Sequence, residues 1–151
     1  MRRKERAITD EESAALLNIA EYGILSSVTE EGKPYGIPLN FCVIDHCIYF
    51  HCAVEGQKID NFTQNKYVSF CVVGKTEILS EDFSTIYESA IAAGEIEEVF
   101  DTNKQVALEG LVQKYSPGFM EKGAKFIKDL NDKTRVFKIS IDRLTGKAGK
   151  K

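Results

Sequence analysis

The sequence has no surplus of positive charge: 20 Lys and Arg against 23 Asp and Glu leave a formal net charge of -3. General binding to nucleic acid needs a strong basic excess, so a nucleic-acid partner is not expected. A small phosphorylated ligand stays open, because one or two well-placed cations hold it. Long apolar runs are missing as well. The basic start Met1-Arg2-Arg3-Lys4-Glu5-Arg6 leads into Thr9-Asp10-Glu11-Glu12 rather than an apolar stretch. Neither a secretory signal nor a membrane span is read, and the expected location is the cytoplasm.

Cysteine supplies no framework. Cys42, Cys47, Cys52 and Cys71 form no C-x-x-C pair, and without an export signal all four are expected to stay reduced. Metal ligation by the two His-Cys neighbours, His46-Cys47 and His51-Cys52, is disfavoured. Side chains alternate along a strand, so His51 and Cys52 point to opposite faces. No nucleophile elbow, Walker loop or Rossmann fingerprint is present. Any redox chemistry therefore needs a cofactor held in some other way. With no repeat, low-complexity tract or linker, residues 1–151 read as one domain.

What is present is a run of short elements. Thr9-x-x-Glu12 fits a capping box, opening a helix to about Ala20 with Ser13, Leu16, Leu17 and Ala20 on one face. Strands follow at 23–29, 35–44 (interrupted by Pro38) and 47–52, and connections this short make antiparallel hairpins. Pro38 lacks an amide hydrogen and belongs at an edge or bulge. A short helix spans 57–65, a strand 67–73, and a long bent strand 83–100. Thr102-x-x-Gln105 reads as a second capping box, opening a helix to about Tyr115; another helix covers 120–130. Phe137, Ile139 and Ile141 then alternate with polar residues in a closing strand. This order predicts a small antiparallel barrel flanked by helices, mainly β in an α+β class.

Chemistry concentrates in Tyr49-Phe50-His51-Cys52-Ala53-Val54-Glu55-Gly56-Gln57-Lys58. A strand ends, Gly56 turns the chain, and a helix opens with Gln57 and Lys58. Free amides at a helix start favour an anion, and Lys58 adds a full cation. The same residues also describe an ordinary turn with a solvated lysine. His51 likewise has two readings: a packed strand histidine, or a donor beside the anion site.

Three segments carry a resemblance: the basic start; Gly32-Lys33-Pro34-Tyr35-Gly36-Ile37-Pro38-Leu39-Asn40; and Tyr49 to Ala53 with Gly56 and Lys58. Together with the closing strand and Thr145-Gly146-Lys147, they resemble the pyridoxamine 5'-phosphate oxidase-like flavoproteins, most closely the nitroimidazole-resistance (nitroimidazole reductase) branch. The resemblance implies a six-stranded split barrel and a homodimer with FMN at its interface. It implies that Pro38, Leu39 and Asn40 line the isoalloxazine. His51, Cys52 and Ala53 would border the flavin and its phosphate, while Gln57 and Lys58 hold that phosphate. His51 becomes the candidate catalytic residue of an oxidoreductase passing electrons from a reduced nucleotide, NAD(P)H, to a small acceptor such as a nitroaromatic. Flavin binding without turnover and haem binding are the alternatives. Outside the N-terminal arm only Arg135 and Arg143 occur, which argues against oxidation of a phosphorylated vitamin.

Overall fold

Thr9 caps as its sequence predicts. Its Oγ1 accepts the Glu12 amide at 3.1 Å, and the Glu12 carboxylate accepts the Thr9 amide at 2.8 Å. The computed structural model describes residues 2–149; Met1 of the basic start and Lys150–Lys151 at the end of the expected domain lie outside them. In chain order the elements are β1 (Ala7–Ile8), α1 (Asp10–Ile19), β2 (Gly23–Val28), β3 (Pro34–Leu39), β4 (Cys42–Ile44) and β5 (Cys47–Cys52). Then come α2 (Gln57–Gln64), β6 (Tyr67–Leu79), β7 (Ser84–Val99), α3 (Asp101–Tyr115), α4 (Met120–Leu130) and β8 (Arg135–Gly149).

All pairings are antiparallel, in the order β3-β2-β6-β7-β8-β5-β4, with β1 added alongside β8. The two ends of that order, β3 and β4, are consecutive in the chain and joined only by Asn40 and Phe41. A flat sheet would hold its outer strands about 29 Å apart, at about 4.8 Å per neighbour. Three Cα steps between Leu39 and Cys42 allow at most about 11 Å. The sheet therefore curls on itself, and the fold is an antiparallel barrel split between β3 and β4.

Alternation decides what fills it. Ile37, Leu25, Phe70, Ala92 and Leu144 lie in register across β3, β2, β6, β7 and β8 and point inward. Phe41, Phe50, Phe62 and Phe137 join the same core, where Phe50 and Phe137 stack at 5.7 Å. Ile59 and Phe62 bring α2 against it, and Leu16 and Leu17 bring α1. A second cluster lies outside the barrel wall, where Cys42, Val99 and Val136 meet Ala107, Leu108, Leu111 and Ile127 of α3 and α4.

Several expectations are corrected. Among the described residues eight strands form rather than six. The single strand expected over 35–44 is two, because the chain turns at Asn40-Phe41 from one side of the split to the other. Pro38 lies on edge strand β3 opposite Ile24, where no ladder amide is required. The long strand expected over 83–100 forms as β7, whereas β6 runs on to Leu79 and β8 to Gly149, beyond their predicted ends; the added part of β6 is largely exposed, so no hydrophobic pattern reveals it. The Thr102-x-x-Gln105 box does not form. The helix starts at Asp101 after an uncapped Phe100, and Gln105 bonds Glu109 instead.

Tyr115 fastens the split. Its hydroxyl accepts the Phe41 amide at 3.0 Å and lies within hydrogen-bond distance of the carbonyls of Glu21 and Phe41, at 2.6 and 3.0 Å. Phe41 is fully buried, so its amide has no water to fall back on. Tyr115→Phe is expected to lower unfolding stability by about 1–3 kcal/mol. Urea denaturation checks this; an unchanged midpoint would show that the hydroxyl carries no structural load.

Candidate functional site

The strand-to-helix turn after β5 is held open by its backbone. Gly56 has φ +139, a conformation that side chains beyond glycine rarely adopt, and it caps α2 without a side-chain hydrogen bond. The carbonyl of Gly56 takes the amides of Ile59 and Asp60. Those of Gln57 and Lys58 have no acceptor among the described residues, so two donors face outward at the positive end of the helix. The Lys58 ammonium curls over the same corner. A Cβ built on Gly56 would lie 3.9 Å from Lys58 Nζ, and Lys58 enters no ion pair among the described residues.

Arg135 braces this turn from β8. Its guanidinium forks onto the Glu98 carboxylate at 2.9 and 2.5 Å and also donates to the Val54 carbonyl at 3.4 Å. Glu98 thereby neutralises Arg135, leaving Lys58 as the uncommitted cation beside Cys52. Burial pushes the Cys52 thiol upward, while Lys58 and Arg135 pull it partly back. Burial likewise holds the Cys42 thiol at about 11. All four cysteines are free thiols. Among the described residues, no three His, Cys, Asp or Glu side chains converge as metal ligands would.

Strand alternation divides the remaining predicted residues between two surroundings. Cys52 packs partly against the barrel core, at the Lys58 end. His51 points to the other face, into a cavity of about 290 Å³ between β5 and the α3–α4 pair, which it shares with Asn40. Leu39 packs inward, so it can meet a ligand only through its backbone, whereas Pro38 and Ala53 are exposed. The Gln57 side-chain amide donates one of its two N–H groups to Asn61 Oδ1 at 3.1 Å, leaving the other uncommitted beside its backbone amide.

Burial lowers the His51 pKa below its ordinary 6.5, with no charged neighbour contributing. The unfolded chain therefore binds this proton first on acidification. Stability from neutral His51 is complete above about 6.5 and is lost as pH falls through the folded-state value. An NMR titration of the ring is expected to show a midpoint under 6.5. A midpoint above 7 would contradict the neutral imidazole.

A family model for pyridoxamine 5'-phosphate oxidase matches residues 9–148. The chain belongs to that family. Solved structures share its fold. One, from Bacteroides thetaiotaomicron, is provisionally assigned as a 5-nitroimidazole antibiotic resistance protein. It superposes with a TM-score of 0.76 at 23% identity, over 94% of this chain and 86% of its own. The FAD and haem binding protein of Mycobacterium smegmatis gives 0.83 at 19%, over 98% and 75%. An FAD-binding protein of Mesorhizobium loti gives 0.69 at 21%, over 96% and 98%. No curated protein matches the sequence.

Membership of the pyridoxamine 5'-phosphate oxidase family accounts for the barrel, but three parts of the site escaped sequence reasoning. The brace from Arg135, the wall that α3 and α4 raise over His51, and the Tyr115 clamp all join residues far apart in the chain. Among the described residues no helix is long and apolar enough to cross a membrane.

Proposed function

We propose that this protein is an FMN-dependent oxidoreductase working as a homodimer. The observation that carries the reading is the turn at Gly56, where two free amides and the unpaired Lys58 converge. That donor set fits a phosphate monoester: the amides give directional bonds and the ammonium a charge-assisted one. Lys58 and the backbone of Gln57 would hold the phosphate, and the exposed edge at Pro38 with the backbone of Leu39 and Asn40 would flank the ring system. Cys52 and Ala53 would border the chain between them. FMN, when bound, supplies transfer of two electrons from a reduced nucleotide such as NAD(P)H to a small acceptor such as a nitroaromatic.

The protein's own part is positioning. His51, neutral at pH 7, offers one ring N–H to an acceptor held beside Asn40. A second copy of the chain would cover the outer face on which Pro38, Ile24, Cys71 and Ile91 stand in register. Of that row, Ile91 remains 44% exposed.

The test is purification without added cofactor, followed by a visible spectrum, mass identification of any released ligand, and sedimentation. A flavin band, FMN in the extract and a dimer support the proposal. A Soret band, or a colourless protein that takes up no FMN, contradicts it. Reoxidation of the reduced protein by nitroaromatics then separates an enzyme from a flavin carrier, which would show no acceptor-dependent rate.

A further inference from the structure

Among the described residues the buried polar side chains are Ser13, Ser27 and Asn61. Ser13 bonds locally to the Thr9 carbonyl. Ser27 of β2 and Asn61 of α2, 3% and 1% exposed, meet each other. Asn61 Nδ2 donates to Ser27 Oγ at 2.9 Å, and the Ser27 hydroxyl donates to the Tyr35 carbonyl at 3.5 Å. Gln57 Nε2 donates to Asn61 Oδ1 at 3.1 Å. One relay thus runs from β3 through β2 and the buried Asn61 to the first residue of α2.

The polarity of this relay is fixed at its far end. A backbone carbonyl only accepts, so Ser27 spends its single proton on Tyr35 and can only accept from Asn61. Asn61 must then turn Nδ2 toward Ser27 and Oδ1 toward Gln57. Facing an acceptor, Gln57 presents its NH2 group rather than its carbonyl. One N–H of that group goes to Asn61, and the other stays uncommitted.

Seating α2 does not require the relay, because Ile59 and Phe62 already pack the helix into the barrel core. An apolar pair in place of Ser27 and Asn61 would hold the helix without burying an amide and a hydroxyl. What the polar pair alone supplies is direction. Gln57 is exposed, and a long exposed side chain otherwise rotates freely.

We propose that Asn61 is a positioning residue that holds the Gln57 carboxamide donor-first at the Gly56 turn. The second Nε2–H then joins the free amides and Lys58 in meeting a phosphate oxygen. Ser27 in turn orients Asn61, and neither of the two touches the ligand. The inference rests on the phosphate-binding role proposed above for this turn.

Titrating FMN and riboflavin into flavin-free, full-length protein reads the phosphate contact as a ratio of two affinities. Asn61→Leu and Gln57→Leu should each lower that ratio about three- to tenfold, the worth of one hydrogen bond to a charged group. The double variant should fall no further than either single one, because Asn61 acts through Gln57. A purely structural role would weaken both ligands alike and leave the ratio unchanged. That result, or losses that multiply in the double variant, overturns the proposal. Should Asn61→Leu not fold, proton–nitrogen correlation spectra of the unaltered protein serve instead, with inorganic phosphate as the probe. The Gln57 side-chain NH2 signal, identified by its absence in Gln57→Leu, should shift together with the Lys58 backbone amide. A shift at Lys58 with none at the Gln57 side chain would overturn this inference alone. Equal affinities for FMN and riboflavin in the unaltered protein, with neither signal moved by phosphate, would remove the phosphate reading and this inference with it.

Discussion

Lys58→Glu is expected to lower FMN affinity by roughly 100-fold or more, because it removes a charge-assisted hydrogen bond worth about 1.5–3 kcal/mol and adds repulsion. The effect should be local. Lys58 makes no ion pair among the described residues, so its loss leaves no buried carboxylate stranded. Arg135 cannot substitute, since both arms of its fork are engaged by Glu98. The measurement is quenching of flavin fluorescence on titrating FMN into flavin-free protein. Lys122→Glu, an exposed change of equal charge on α4, serves as the control. Near-equal affinities for the two variants would mean that net charge, not the turn at Gly56, governs binding.

Phe50→Ala should have the largest effect on the fold itself. Phe50 is fully buried, stacks on Phe137 and meets Phe62 edge-on at 6.3 Å. It thereby ties β5, β8 and α2 at one point. Removing a buried phenyl group costs about 3–5 kcal/mol through lost transfer energy and the cavity left behind. Domains have only about 5–15 kcal/mol in total, so the variant should unfold at far lower urea. Phe50 and His51 face opposite sides of one strand, which couples the two losses: loosening the core side should also blur the ligand side. A loss under about 1 kcal/mol would show that the barrel interior can collapse around the gap.

The barrel was legible wherever one face of a strand is dry and the other wet. The alternation through Phe137, Ile139 and Ile141 and the capping box at Thr9 both express local rules, and both appear in the structure. The division of 35–44 into two strands was not legible, because Pro38 marks an edge but not the turn two residues later. That turn is set by closure of the whole sheet. The outer half of β6 carries little buried surface, so no period betrays it.

At the site, the turn at Gly56 was legible as strand, glycine and helix start in succession, a strictly local pattern. The separation of His51 from Lys58 follows from alternation too, although residues this close in sequence invite assignment to one pocket. Asn40 joins His51 only because the barrel closes at the corner beside it. The helices that wall their cavity lie more than fifty residues downstream of His51. Tertiary proximity of that kind leaves no mark in a single sequence.

The central claim is that the corner formed by Gly56, Gln57 and Lys58 grips the phosphate of a flavin. Comparing FMN with riboflavin, which lacks only that phosphate, on the same flavin-free protein addresses it directly. FMN should bind at least about tenfold more tightly, as one charge-assisted contact alone provides. Equal affinities would place the phosphate in solvent and contradict the account.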